Sequence, residues 1–550
     1  MGMGSESSAG NLLPHWMRWF IPSIGDLIFV AFLGLLTFTA LSVRLLGDAG
    51  IGWHIRTGQL ILATHSIPRV DPFSSSMIGH PWYAWEWLYD VLVGALDTTA
   101  GLNGVVWFTA IVVAAVFGWT FRLLLLRGTN ILLAVILLLL AASASMIHML
   151  ARPHTVTWLF TLAWYWILES TEARCDDVAF DSSRRSTTRK RVLFLPLLML
   201  VWVNVHGGFL IGFVLLAIYW FSAAWRWVRL SLSVNEESFE DALSTIHLRR
   251  RLRNLTWAGI LSAAATFINP YGFRLHVHIY RYLTNRFLMD RIDEFQSPNF
   301  HLVAQKCFAG LLLLAVIALA VKGRQAKLRE ILLLLFAVYS ALYASRNIPV
   351  SSLLLILITG PWLSDAIDRL TEKFRRRTPA SLGTAPFLTR MKEIDLCMRG
   401  HFWATGAVLL TAWIVAHGGN LGSSRLMNAH FSAKKFPVDA VAYFEEQSLP
   451  GPVLSPDFWG GYLIYRLYPR EKVVIDDRHD FYGEQFLQSY LKMIHLEPGW
   501  SDFLQQHPAG SIIVPKNSAF ANILLETSSC RMIYNDDVAA IFVPTDESRK

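Results

Sequence analysis

Charge is scarce in this chain. Of 550 residues, 16% are Asp, Glu, Lys or Arg, and 53% are hydrophobic. That balance excludes a disordered or highly solvated protein. Cysteine is scarce too, with four residues: Cys175, Cys307, Cys397 and Cys530. In the topology derived below, no two of them share an oxidising compartment, so no intrachain disulfide is predicted. Zinc-ligand spacing, a phosphate-binding glycine loop and an internal repeat are all missing from the sequence. These absences argue against a zinc module, a P-loop enzyme and a solenoid.

Long apolar runs are what the chain has in abundance. A membrane span needs roughly 20 apolar residues. Eleven candidates fall near 24–45, 103–121, 131–149, 154–168, 192–205, 209–225, 255–268, 303–321, 330–344, 349–365 and 401–417. The first has no small-residue cleavage site and exceeds a signal h-region, so it reads as a retained helix. With the N-terminus inside, the cytoplasmic connections are 122–130, 170–191, 226–254, 322–329 and 366–400. They hold 26 Lys and Arg. That excess on one side is the positive-inside signature. The formal charge of +8 therefore reflects topology and anionic-lipid contact, and implies no nucleic-acid partner.

Three parts follow. Residues 1–23 form a cytoplasmic lead. Residues 24–417 form a helical membrane domain with long outer loops at 46–102 and 269–302. Residues 418–550 form an outer soluble domain with 12 basic and 16 acidic residues. In that domain, helical periods at 437–447, 459–467, 484–495 and 518–527 alternate with apolar runs at 452–455, 472–475 and 511–514. A hairpin is predicted from Arg531–Tyr534 and Val538–Val543, turning at Asn535-Asp536. The fold class is a polytopic α-helical membrane bundle with a C-terminal α/β domain.

Five polar motifs interrupt the apolar runs, all at the outer ends: Asp48–His54, Arg152-Pro153-His154, Asn204–Gly208, Asn269-Pro270-Tyr271-Gly272 and Arg346-Asn347. Polar groups near the apolar layer are costly, so their concentration at one face points to a site. Asp48 lies just past the first span. A carboxylate there can take a proton from an acceptor hydroxyl, or it can cap the helix predicted over 52–63. That helix and a second amphipathic stretch at 85–97 have the spacing of surface helices on the membrane. Arg152 and Arg346 offer planar forks suited to phosphate, with ordinary headgroup contact as the alternative. His54, His154 and His206 can bind metal or relay protons, or simply be hydrogen-bonded. Asn269–Gly272 reads as a helix stop. The acidic run Asp476-Asp477-Arg478-His479-Asp480 follows an apolar run. It reads either as a binding crevice for a cation or sugar hydroxyls, or as a charged turn paired internally.

One outer acid after the first helix, then an aromatic and a surface helix, resembles the GT-C superfamily of membrane glycosyltransferases. The likeness extends over Gly52-Trp53-His54-Ile55-Arg56-Thr57-Gly58, Asp71-Pro72-Phe73-Ser74, Trp85-Glu86-Trp87-Leu88, Arg152-Pro153-His154, Asn204-Val205-His206-Gly207-Gly208, Asn269-Pro270-Tyr271-Gly272 and Phe458-Trp459-Gly460-Gly461-Tyr462. It implies a protein of the bacterial inner membrane, N-terminus inside and C-terminal domain outside. The implied reaction moves a sugar from a polyprenyl-phosphate carrier to a lipid, glycan or protein acceptor. The roles implied are Asp48 as general base and Arg152 and Arg346 as holders of donor phosphate. Trp53, His54, Glu86, Asp90, His154, Asn204 and His206 would contact substrate. Many GT-C enzymes carry two adjacent acids here, whereas Asp48 precedes Ala49 and Gly50. A second acid would come from Asp71, Glu86 or Asp90. No cofactor is implied, although a divalent cation is compatible. The alternative reading is a non-catalytic scaffold or transporter that keeps the fold.

Overall fold

Thr39 divides the first apolar run into two helices, Ile24–Phe38 and Leu41–Leu45. Its hydroxyl donates to the Leu35 carbonyl at 2.6 Å and accepts from the Leu41 amide at 3.2 Å, and its backbone is extended. A side-chain oxygen thus supplies what the helical ladder would otherwise supply, and the span over 24–45 is interrupted. The computed structural model describes residues 14–176, 191–233, 239–377, 384–527 and 529–545. Ten of the eleven apolar segments each fall on one helix run within them, and the first falls on two. Among the described residues, six helices are long and apolar enough to cross a membrane: Trp16–Phe38, Trp87–Leu126, Ile131–His148, Gly207–Leu232, Val303–Gln325 and Ser345–Lys373. Phe402–Ala416 is shorter.

Local chemistry sets the helix starts. Ser23 and Asp26 form a reciprocal capping box at the first long helix, and Asn130 accepts from Leu133 N at the start of Ile131–Ser145. Each satisfies amide groups that a helix N-terminus leaves open. Trp87–Leu126 changes direction at Gly101, whose φ of 61° favours glycine.

The helix over 51–64 departs from the expectation of a helix lying on the membrane surface. Trp53, His54, Ile55, Thr57 and Gly58 are buried. One side packs on the Trp87 helix, where a Cβ on Gly58 would stand 1.8 Å from Asp90 O. The other packs on helix Asp457–Leu467, where a Cβ on Gly52 would stand 2.1 Å from Gly461 O. Glycine lets these backbones touch, so the helix is enclosed by protein on both sides.

The C-terminal region builds a four-stranded mixed sheet. A small hairpin of β1 (Asn420–Leu421) and β2 (Ser424–Arg425) precedes it. Strands β3 (Val453–Leu454), β4 (Ser511–Pro515), β5 (Cys530–Asn535) and β6 (Ala539–Pro544) lie in the order β3-β4-β6-β5. β3 and β4 are parallel, and the other pairs are antiparallel. The four helical periods form helices Val438–Glu446, Asp457–Leu467, Glu484–Ile494 and Ala519–Glu526. The run at 472–475 makes only single bridges, from Val473 to Val453 and to Ser74 of the first outer loop. Ser75 N donates to Val473 O at 2.8 Å, and Val473 N donates to Phe73 O at 3.2 Å. The loop therefore extends the edge of this sheet. One hydrophobic core runs continuously from the bundle into Phe431, Trp459, Tyr462 and Ile541. A second, around Leu454, Tyr490, Phe503 and Phe520, takes in Leu288 of the second outer loop.

Candidate functional site

A buried ion cluster fastens the first loop to the C-terminal region. Arg478 donates to Asp71 Oδ1 at 2.7 Å, and to both oxygens of Asp476 at 2.8 and 2.6 Å. Phe73, Trp82 and Phe481 surround its guanidinium at 4.7 to 5.2 Å from the ring centroids. Tyr482 also donates to Asp476, at 2.8 Å. A buried ion pair needs its remaining hydrogen-bonding groups satisfied in this way. This accounts for Asp71, which the sequence offered as a second site acid. The internal pairing expected of the 476–480 run is present, but it uses only Asp476 and Arg478.

That clamp sets Asp477, Asp480 and His479 into a cavity of about 720 Å³. The cavity is lined from four of the five polar motifs, by Asp48, Trp53, His54, Arg152, His154, His206, Gly207, Gly208, Arg346 and Asn347. Glu86, Asp90, Trp82 and Trp85 join from the first loop, and Tyr282 and Glu294 from the second. The fifth motif, Asn269–Gly272, lies outside the lining and supports it. Tyr271 OH accepts from Ala84 N at 2.8 Å, and Pro270 O accepts from Arg69 at 2.9 Å. Asn204 is also outside the lining. Its amide accepts from Trp87 Nε1 at 2.8 Å and donates to Leu200 O and Ile268 O. Both ends of that side chain are used within the protein.

At one side of the cavity, Arg152 joins two carboxylates. Its Nη2 is 3.0 Å from Asp48 Oδ1 and 2.9 Å from Asp477 Oδ2. Asp48 Oδ1 also accepts from Gly50 N at 2.8 Å. Helix Ile51–Thr64 itself begins at Gly50 without a side-chain cap, so Asp48 closes the turn ahead of the helix. Trp53 Nε1 donates to Asp477 Oδ1 at 3.1 Å. A Cβ on Gly50 would stand 2.2 Å from Arg152 Nη1 and 2.4 Å from Asp477 Oδ2, so only glycine admits this meeting. Burial raises the Asp477 carboxyl to about 6, against the opposing pull of Arg152. Sequence reasoning looked for the second acid within the first loop. The acid that meets Asp48 comes from the C-terminal region, and the acidic run after 473–475 was the signal for it.

At the other side, Glu86 stands between two imidazoles. Oε2 is 3.7 Å from His54 Nε2, and Oε1 is 3.7 Å from His206 Nε2. These separations exceed a direct hydrogen bond. His54 Nδ1 is held by Asp90 Oδ1 at 2.6 Å. His206 Nδ1 accepts from Gly208 N at 3.0 Å and pairs with Thr157 Oγ1 at 2.8 Å. Accepting a backbone N–H at Nδ1 puts the His206 ring proton on Nε2, facing Glu86. Burial pushes the Glu86 carboxyl up to about 8, against the pull of Arg152. Burial also holds His54 and His206 well below the usual imidazole range, with nearby arginines adding to the effect. Glu86 is thus a neutral acid at pH 7. His54 Nε2 and Asp90 Oδ2 are buried without a hydrogen-bond partner.

The remaining cavity residues frame these two centres. His154 Nε2 bonds His148 O at 2.8 Å. Arg346 lies over the Phe295 ring at 4.6 Å and draws the Glu294 carboxyl, which burial alone would raise, down to about 2. His278 pairs with Asp480 at 3.0 Å, and His479 with Asp457 at 2.7 Å. Among the described residues, no three His, Cys, Asp or Glu side chains converge as metal ligands. The place between Asp48 and Asp477 is taken by a guanidinium. These residues do not fit a resident cation.

No protein-family profile matches the chain, and no curated protein matches it. Solved structures do. One is the oligosaccharyltransferase AglB of Archaeoglobus fulgidus in complex with an inhibitory peptide and a dolichol-phosphate. It is 12% identical over 97% of this chain and 74% of that one, with a TM-score of 0.53. The Archaeoglobus fulgidus oligosaccharyltransferase tethered to an acceptor peptide containing the NVT sequon is 13% identical. It covers 98% of this chain and 75% of that one, with a TM-score of 0.54. At such identities the likeness establishes the fold alone: a bundle of apolar helices with a C-terminal α/β region, arranged as in these oligosaccharyltransferases.

Proposed function

We propose that this protein is a membrane glycosyltransferase. It moves a sugar from a polyprenyl-phosphate carrier to a lipid, glycan or protein acceptor at the outer face of a bacterial inner membrane. The observation that carries the reading is the convergence of four helix-end motifs and Asp477 on one cavity, with two acids joined through Arg152. The fold shared with an enzyme whose structure holds a dolichol-phosphate and a peptide supports the same class of donor.

In this reading the acceptor hydroxyl or amide attacks the anomeric carbon. The bond from that carbon to the donor phosphate oxygen breaks, and the phosphate leaves with the electron pair. The acceptor proton passes to the Asp48–Asp477 pair, where the raised Asp477 carboxyl is the better matched to neutral pH. Arg152 and Arg346 bind donor phosphate, and Arg346 is free of any carboxylate within 4 Å among the described residues. Neutral Glu86 donates to a sugar oxygen, and His54, His206 and His154 complete the polar wall. Trp53, Trp82 and Trp85 give the sugar ring apolar faces.

The test is mass spectrometry of lipid-linked and surface glycans in cells with and without the gene product, beside cells carrying Asp48→Asn. Loss of one glycan in both the deletion and the variant is expected. Unchanged glycans in the deletion would sink the proposal and favour a scaffold.

A further inference from the structure

Beside Glu86 the cavity wall leaves two matched gaps. Oε2 stands 3.7 Å from His54 Nε2, and Oε1 stands 3.7 Å from His206 Nε2. Each gap is too long for a direct hydrogen bond, and one oxygen set beside it reaches both sides. All three residues line the cavity. His54 Nε2 is buried without a hydrogen-bond partner, and the ring hydrogen bonds of His206 among the described residues all fall on Nδ1. Buried polar atoms are normally partnered. The imidazole nitrogens that flank Glu86 are therefore left for a group that enters the cavity.

These groups are held in place from behind. Asp90 Oδ1 holds His54 Nδ1 at 2.6 Å. Gly208 N, at 3.0 Å, and the Thr157 hydroxyl, at 2.8 Å, both direct protons at His206 Nδ1. Trp202 Nε1 donates to the same Thr157 oxygen at 3.0 Å. The His206 ring proton therefore sits on Nε2 and faces Glu86. A Cβ on Gly207 would stand 2.8 Å from the Trp85 ring, so the turn that carries His206 is pressed against the residue next to Glu86. Neutral Glu86 offers one oxygen that accepts and one that donates. Across the second gap, His54 Nε2 donates or accepts according to which side of the Asp90 pair holds the shared proton. A hydroxyl both donates and accepts, so one hydroxyl closes each gap. An ammonium or amide N–H only donates and leaves the His206 N–H unpaired. A deoxy carbon does neither.

We propose that Glu86, flanked by His54 and His206, recognises two adjacent hydroxyls of the transferred sugar. This role rests on the sugar-transfer reading of the cavity and narrows its substrate. The two oxygens of one carboxyl match neighbouring ring hydroxyls in spacing, and each hydroxyl is shared with one imidazole. The sugar that fits carries a free vicinal diol on the edge facing Glu86. Amino, acetamido and deoxy sugars altered on that edge leave buried polar groups unpaired, which is how a site rejects them. His54 and His206 touch the sugar in this arrangement, and Asp90 and Thr157 are positioning residues that act through them.

The experiment measures binding to the full chain in nanodiscs. The probes are a bare short-chain polyprenyl phosphate, its glucose, mannose, galactose and arabinose derivatives, and the monodeoxy forms of the sugar bound tightest. Removing either of two adjacent hydroxyls should weaken binding about tenfold, and removing any other should change it little. In His206→Ala one of the two penalties should shrink while the other stays. In Glu86→Gln, which keeps one donor and one acceptor, both should stay. Parent and deoxy sugars are compared within each variant, so poor folding lowers both signals alike. Equal binding of all monodeoxy forms by the wild type would overturn the diol readout, as would penalties at positions that are not adjacent. Both penalties unchanged in His206→Ala would overturn it too. A bare carrier bound as tightly as every sugar form would also overturn it, with the donor-phosphate reading left standing. Binding of no probe, bare carrier included, would overturn the sugar-transfer reading and the diol readout with it.

Discussion

Arg152 Nη2 lies 2.9 Å from Asp477 Oδ2, although the two residues are 325 apart in sequence. The contact joins a helix end of the bundle to the C-terminal region, and Asp48 meets the same nitrogen. The C-terminal region therefore supplies part of the cavity wall, and changes there should act on the chemistry.

Asp477→Asn and Asp48→Asn each keep side-chain shape and remove a basic oxygen. Losing a general base costs about 10²–10⁴-fold in rate. Each purified variant should melt close to the parent and transfer sugar at a rate lowered within that range. Parental transfer by Asp477→Asn would leave Asp48 as the lone base, and parental transfer by Asp48→Asn would remove Asp48 from the reaction.

The pH dependence has a definite sign. Asp477 must be ionised to accept a proton, and burial sets its carboxyl at about 6. Glu86 must stay neutral to donate, and burial sets it at about 8. The turnover rate should rise up to about pH 6 and fall above about pH 8. Asp477→Asn should flatten the acid limb, and Glu86→Gln the alkaline limb. A profile that keeps both limbs in both variants would reject these assignments.

Arg152→Lys and Arg346→Lys retain charge but lose the fork. Donor binding, measured in nanodiscs with a lipid-linked sugar, should weaken in each. Affinity equal to the parent in both would make them headgroup contacts.

Gly461→Val tests the docking of the C-terminal helix on the first loop. A Cβ there would stand 2.4 Å from Ala49 O, and backbone cannot swing aside as a side chain can. Overpacking of this kind costs about 1–3 kcal/mol. The variant should melt lower and be cleaved faster by protease in the C-terminal region. An unchanged melting temperature would show that the two elements are not held in this contact.

Orientation follows from the basic connections. A reporter fused after residue 185 should behave as cytoplasmic, and one fused after residue 545 as periplasmic. Reporters on the same side would overturn the expected topology.

Sequence alone determined the helices and most of the small sheet. Apolar periodicity is a local property, and all eleven apolar segments and the four helical periods of the tail became helices. The hairpin predicted over 531–543 formed as β5 and β6. Run 472–475 was read as equivalent to its neighbours, but it bridges β3 at Val453 on one side and Ser74 of the first loop on the other, and no local pattern reveals the second partner. The polar motifs were legible as a group because polar residues at apolar helix ends stand out against their surroundings. Their division of labour was not. Asn204 proved to be spent on Trp87 and two carbonyls, and Asp71 on Arg478. Only the tertiary structure brought Asp477 to Asp48 and set Glu86 between His54 and His206. The meeting of Asp477 with Asp48 depends on close approach at Gly50, Gly52 and Gly461 across hundreds of residues. The raised carboxyls of Asp477 and Glu86 depend on burial, and burial belongs to the packed chain as a whole.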